Sequence, residues 1–364
     1  MNQNPSQLMP FPAGSQFSSV AVNQSQYTGV NTPFNIELGK VGMLSTLFAI
    51  VNLTFTRTAG AGAVATVRGS GARTQAGFSY PAAISRVSLR NNVNIRPTEV
   101  SFYAAWLNAM TSIPDWNPDL FNVNGLWSQS AANLAAANAS TLTVSFVIPL
   151  LVATSEYGQA GLLANQDTAI TYNVAGTWGN PIADMLVGDT ASIAVTGSIA
   201  IESDYWSIRP VGTPYGLPSL SYAQTYTEEI FTPSANGRYR IDIPGGPAYL
   251  STIIEVVNNG APVLTGDMGA IELYQSANTM LRSISPAGTK AREFRRIGRA
   301  LPDGCYLLDY AHIFGGTEAF SPDALMQTQT WTDGHFFVNL PAAWVAGNNS
   351  YIRVVHRALV GANG

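Results

Sequence analysis

Two nine-residue segments, LSTLFAIVN at 44–52 and LSTIIEVVN at 250–258, share five identical positions, and three others exchange one large apolar residue for another. A chain that writes almost the same β-rich phrase twice, 206 residues apart, is constrained to place two similar strands in two similar settings. What surrounds each copy supports this. In both halves the order runs strand, strand, helix, Pro-Asp stop and then further strands. A solenoid is excluded, because the phrase occurs only twice.

The first half reads as strands at 34–58, 83–92 (AISRVSLRNN), 140–150 (STLTVSFVIPL), 168–178 and 191–208. Pro149 inside the third of these marks an edge or a bulge. Between 96 and 116 the period changes. Thr98 is the expected N-cap, and Val100, Tyr103, Ala104, Leu107 and Met110 fall on one helical face before Pro114 ends the helix. In the second half, strands are expected in GRYRIDIPGGPAYLSTIIEVVNNG, GAIELYQ, CYLLDYAHIF, HFFVNLP and SYIRVVHRALV, with a second helix in SPAGTKAREFRRIGRALPDG stopped by Pro302 and Gly304.

Short strands broken by Gly and Pro turns, with one helix inserted in each half, define an all-β fold of two antiparallel Greek-key or jelly-roll sandwiches. The expected domains are an N-terminal arm at 1–27, a first sandwich at 28–208, a linker at 209–222 and a second sandwich at 223–364. The linker is set by Pro210, Gly212, Pro214, Gly216 and Pro218. The arm is rich in Gln, Asn, Ser and Pro without periodicity, so it is expected to lack structure of its own and to pack on a neighbouring subunit or layer.

Only 11% of the 364 residues are charged, against about 25% in typical soluble domains. Two readings follow. Either much of the surface is buried against copies of the chain, since interface cores exclude unpaired charge, or the protein is a secreted β-protein with a neutral polar coat. The net charge of −4 and a charge-free first 36 residues argue against direct nucleic-acid binding, which needs clustered Lys and Arg. No cationic start with a long apolar core marks a signal peptide, and no apolar run is long enough for a bilayer. Cys305, the single cysteine, excludes an intrachain disulfide, suits synthesis in a reducing cytoplasm and lies in an apolar run as a small hydrophobe.

Catalytic patterns are absent from the sequence. His312, His335 and His356 are 23 and 21 residues apart, unlike the short spacings of zinc ligands. Glu228 and Glu229 are adjacent on one strand and so point to opposite faces. GAGAVATVRGSGAR lacks the strand-loop-helix setting of a phosphate loop. No cofactor is expected, and the chain reads as a non-enzyme. The sharpest local feature is KAREFRRIGRA at 290–300. Arg292, Arg295, Arg296 and Arg299 share one helical face, with Phe294, Ile297 and Leu301 on another that is expected to dock. The arginine face is open to three readings: a solvated surface, a partner for a neighbour's acidic stretch, or a surface for lipid phosphates.

The segment LTVSFVIPLLVATSEYGQAGLLANQ at 142–166 resembles the tectivirus-type major coat proteins. So, in the same order, do VGMLSTLFAIV, PVGTPYGLPSL, YLSTIIEVVNNG and RRIGRALPDGCYLLD. The resemblance spans most of 34–360 and rests on packing and turn motifs whose collinearity carries it. It implies a double jelly roll, with two eight-stranded barrels in one chain. It also implies a homotrimer that tiles an icosahedral virion shell over an internal lipid membrane, with neighbouring trimers, penton proteins and minor capsid or membrane proteins as partners. The uncharged start departs from the family's amphipathic N-terminal helix. Alternative readings of the residues are a secreted carbohydrate-binding or glycoside-hydrolysing sandwich, with Trp106, Trp116, Trp127, Trp178, Trp206, Trp331 and Trp344 as stacking groups, and a viral spike or receptor-binding protein.

Overall fold

The computed structural model describes residues 17–40, 42–58, 64–67, 83–92, 98–112, 127–129, 133–134, 139–152, 163–165, 169–206, 222–298, 301–310, 326–347 and 349–361. Among them the chain forms two compact units, one up to Gln224 and one from Thr225. The proline- and glycine-rich linker at 210–218 lies outside the described residues, as do residues 1–16.

In chain order the first unit contains β1 (Phe17–Gln26), β2 (Pro33–Glu37), β3 (Gly42–Arg57), β4 (Ala65–Val67), β5 (Ile84–Asn91), β6 (Thr98–Val100) and helix α1 (Phe102–Ser112). It continues with β7 (Trp127–Gln129), β8 (Asn133–Leu134), β9 (Ser140–Val152), β10 (Leu163–Asn165), β11 (Tyr172–Trp178), α2 (Pro181–Met185), β12 (Leu186–Gly188) and β13 (Ile193–Trp206). Its eight principal strands form two antiparallel sheets, β1-β13-β3-β9 and β2-β11-β5-β6. Counted along the chain these are strands 1-8-3-6 and 2-7-4-5, the winding of a jelly roll. β7 extends the first sheet, β10 pairs with the start of β3, and β4, β8 and β12 form a separate small sheet.

The alternation of β3 explains why the first sheet is one-sided. Leu47, Ala49, Val51, Leu53 and Phe55 are fully buried, opposite Ile199 and Ile201 of β13 and Leu142, Val144, Phe146 and Ile148 of β9. The residues between them are half-buried or exposed, as a period of two requires when one face meets the core. At Pro149 the register shifts: Phe48 pairs with Pro149 and Leu47 with Leu151, so a bulge accommodates the missing N–H.

Two sequence expectations are corrected here. The composition of 1–27 predicts an arm without structure of its own, yet residues 17–26 form β1 and pair with β13 from Phe17↔Trp206 to Gln26↔Ser198. An edge strand is held by backbone hydrogen bonds, so a polar composition suits it and hides it from pattern reading. Helix α1 starts at Phe102 rather than at Thr98, because Thr98–Val100 pair with Val87–Leu89 as β6. Ser101 then caps the helix by accepting a hydrogen bond from Ala104 N at 3.1 Å. Phe102 to Met110 are all buried, and Phe102 packs on Phe146 of β9.

The second unit contains β14 (Tyr222–Phe231), within which the boundary falls, then β15 (Gly237–Asp242), β16 (Ala248–Asn258), β17 (Ala261–Pro262), β18 (Ile271–Ser276) and β19 (Thr279–Ile284). Helix α3 (Pro286–Ile297), β20 (Cys305–Asp309), β21 (Met326–Gln327), β22 (His335–Leu340) and β23 (Tyr351–Gly361) complete it. Its sheets are β14-β23-β16-β20 and β15-β22-β18-β19, again 1-8-3-6 and 2-7-4-5. Ile254, Val256, Tyr306, Leu308, Ile352 and Val354 from one sheet pack against Ile241, Ile271, Leu273, Phe336 and Val338 from the other. In each unit the one longer helix sits between the fifth and sixth strands.

The repeated phrase lies in the third strand of both barrels, β3 and β16. Its parity differs, however. Leu47, Ala49 and Val51 face the first core, whereas Ile254 and Val256, aligned with Phe48 and Ile50, face the second. A single-residue slip exchanges faces. It is tolerated because β16 is buried on both sides, Ile253 and Val257 being 1% and 2% exposed. The phrase therefore marks equivalent strands and not equivalent core positions.

Gly176 in β11 illustrates how closely the strands approach. A Cβ there would lie 2.4 Å from Phe34 Cζ and 2.6 Å from the Arg86 carbonyl oxygen. Gly176→Val is expected to cost at least about 1–3 kcal/mol through overpacking. An unchanged urea midpoint would refute that account of the contact.

Candidate assembly surfaces

Helix α3 carries the sharpest sequence feature, so its setting decides what those side chains can do. Ser285 is the N-cap, accepting from Gly288 N at 3.1 Å, Pro286 occupies the first turn, and Gly298 closes the helix in the left-handed region at φ 68°. The helix therefore ends before Leu301, four residues short of the proline expected to stop it.

Its buried face is made by Pro286, Thr289, Glu293 and Ile297. Glu293, with a side chain 0% exposed, accepts hydrogen bonds from Leu301 N at 3.1 Å and Leu307 N at 2.8 Å and lies 3.2 Å from Lys290 Nζ. Lys290 in turn donates to the carbonyls of Leu301, Pro302 and Cys305. Burial pushes the Glu293 carboxyl up, against the pull of Lys290 and the two amides. This polar clasp ties Leu301, Pro302, Cys305 and Leu307 to the helix through their backbone groups.

Of the expected apolar stripe, Ile297 and Leu301 are buried, but Phe294 is 64% exposed. The docking face runs through Glu293 instead, and Phe294, the next residue, lies on the outer face. Arg292 and Arg295 are exposed there, and among the described residues neither is paired with a carboxylate. Arg299 and the side chain of Arg296 lie outside the described residues. Arg238, Arg240 and Arg353, by contrast, are paired within the chain, with Glu272, with Asp242 and Asp333, and with Glu228 and Glu255 respectively.

The second surface is the outer face of the β1-β13-β3-β9 sheet. One cross-strand row brings the half-buried Ala200, Ile50 and Val147 together, and the next pairs exposed Glu202 with half-buried Phe48 beside the buried Pro149, followed along β13 by Asp204. Farther along, the rows are Ser198–Asn52–Ser145 and Thr196–Thr54–Thr143. This face is thus apolar with two carboxylates at one end and uncharged and polar at the other.

The remaining candidates have structural placements. His335 stacks on Tyr274 at 5.0 Å, and His356 is buried beside Tyr249; His312 lies outside the described residues. Among the described residues no three His, Cys, Asp or Glu side chains come together as a metal site. Glu228 faces Arg353 while Glu229 is exposed, as their adjacency requires. Cys305 is fully buried, 3.7 Å from Glu255 Oε1. Trp106, Trp178 and Trp344 are core groups and so are not stacking platforms, and Trp331 is partly buried against the second core. Trp116 lies outside the described residues, as do the side chains of Trp127 and Trp206. No described helix is long and apolar enough to cross a membrane.

No family model matches the sequence, and no curated protein matches it either. Solved structures do. The major capsid protein of STIV superposes with a TM-score of 0.66 at 14% identity, over 95% of this chain and 97% of the other. A chain from the atomic structure of Sulfolobus turreted icosahedral virus gives 0.66 at 12% identity, over 95% and 91%. The PBCV-1 virus capsid gives 0.59 at 10% identity, over 96% and 95%. The fold is the double jelly roll of viral major capsid proteins. It agrees with the two antiparallel sandwiches expected from the repeated strand order and with the double jelly roll that the resemblance implies.

Proposed function

We propose that this chain is a major capsid protein of a virion shell, working as a homotrimer. The observation that carries this reading is the duplication: both units wind their eight strands in the same two orders, and the alignment with the capsid protein of STIV runs almost end to end on both chains. The mechanism is geometric. Two barrels per chain and three chains give six similar blocks, so a threefold oligomer fills near-hexagonal lattice positions beside neighbouring trimers, with penton and minor capsid or membrane proteins completing the shell. A chain only 11% charged can bury large faces with little charge desolvation. The chain has no catalytic role in this reading. An internal membrane beneath the shell fits residues 1–36, which carry no charged side chain for contact with a genome.

The test is the solution mass of the purified protein by light scattering at micromolar concentration. A stable species of three times 38.7 kDa is expected, with an interface of the size seen in obligate oligomers. A clean monomer would overturn the reading.

A further inference from the structure

We infer that the outer ridge of α3, made by Arg292, Phe294 and Arg295, docks on the Glu202, Asp204 and Phe48 patch of a second copy of this chain, in a head-to-tail contact. The inference rests on the self-assembly proposed above and names residues that would mediate it.

Three observations carry it. Phe294 stands 64% exposed on a helix whose own packing is complete without it. An exposed aromatic beside arginine is the composition of interface anchors rather than of solvated surface. Secondly, Arg292 and Arg295 lack described carboxylate partners in a unit that pairs Arg238, Arg240 and Arg353 internally. Thirdly, the complementary surface exists on the same molecule. No Lys or Arg occurs between Arg96 and Arg209, and on β13 the exposed Glu202 lies opposite half-buried Phe48 on β3, with Asp204 two residues along the same face.

Phe294 meeting Phe48 would bury apolar area, while the two guanidinium groups meet the two carboxylates with forked hydrogen bonds. Different patches meet, so the contact is heterologous and builds a ring when its rotation closes. Ser19 Oγ of the edge strand β1 donates to Asp204 at 2.5 Å, which holds that carboxylate in place on the outer face of the sheet.

The experiment uses the full chain and three variants: Arg292→Glu/Arg295→Glu, Glu202→Arg/Asp204→Arg, and all four changes in one chain. Folding is checked by circular dichroism, and mass by light scattering across a dilution series. Each double reversal is expected to raise the dissociation midpoint by more than about tenfold, and the fourfold variant to recover most of the loss. Phe294→Ser is expected to weaken assembly without lowering the urea midpoint. If the wild type is monomeric, the capsid reading itself fails. A trimeric wild type with unaffected double reversals overturns the docking assignment alone. Loss in both double reversals without recovery in the fourfold variant overturns the pairing of these two patches. A trimeric Arg292→Glu/Arg295→Glu protein that has lost binding to phosphatidylglycerol vesicles assigns the ridge to lipid phosphate and overturns the proposal.

Discussion

Arg353→Met is expected to destabilise the second barrel by about 3–5 kcal/mol, the cost of leaving buried charge without its counterion. Arg353 lies on β23 with its side chain 12% exposed. It contacts Glu228 of β14 and, at 2.9 Å, Glu255 of β16, whose side chains are 9% and 1% exposed. Burial works against the charged guanidinium, but the two carboxylates more than offset it and raise its pKa. Removing the cation leaves both carboxylates facing each other in a low-dielectric setting. Removing all three charges, as Arg353→Met with Glu228→Leu and Glu255→Leu, leaves no such orphan, so the triple variant is expected to be near neutral or more stable than wild type. Urea denaturation of the single and triple variants decides this. A single variant as stable as wild type would show that the network contributes nothing.

Acid is expected to weaken the same barrel through His356. Its ring is buried between Tyr249 and Phe336, at centroid distances of 5.0 and 6.5 Å. Tyr310 donates to Thr252 Oγ1 at 2.6 Å, and Thr252 Oγ1 is 2.9 Å from His356 Nδ1. The threonine hydroxyl can donate to Nδ1 while it accepts from the tyrosine, an arrangement that suits a neutral imidazole ring. Burial lowers the His356 pKa to about 4. In the unfolded chain the group titrates near 6.5, so between those two values the unfolded state binds a proton that the native state refuses. The contribution is complete above about pH 6.5, falls as pH drops towards 4 and levels off below it, for a total loss of up to about 3 kcal/mol. Urea midpoints at several pH values should show this slope in the wild type and a shallower one in His356→Gln. Equal slopes would assign the acid sensitivity to carboxylates alone.

Much of this architecture was open to reading from the residues. Runs such as TVSFVI in β9 and IIEVV in β16 declare strands because β-branched and apolar side chains repeat at short period, and Ser285-Pro286 with Gly298 brackets α3 by chemistry confined to one turn. β1 was missed for the opposite reason: FSSVAVNQSQ has no apolar face to announce it, and β13 recruits it through backbone groups that every residue shares. Thr98 misled because a good capping residue is equally able to sit in a three-residue strand when β5 offers it a ladder. The arginine spacing on α3 was visible, yet the exposure of Phe294 was not, since the docked face runs through Lys290 and Glu293, whose partners lie up to 15 and 14 residues away.

By itself the sequence determined the strand and helix order, its duplication, and the scarcity of charge, because propensity, turns and composition are properties of neighbouring residues. Only the tertiary structure decided which face each strand turns to its core, so that LSTLFAIVN and LSTIIEVVN lie on equivalent strands with opposite parity. It alone joined Arg353 to carboxylates 98 and 125 residues away and turned Phe294 outward. Those choices depend on which distant surface is nearest, and a period of two leaves the face of a strand undefined until a second sheet covers it.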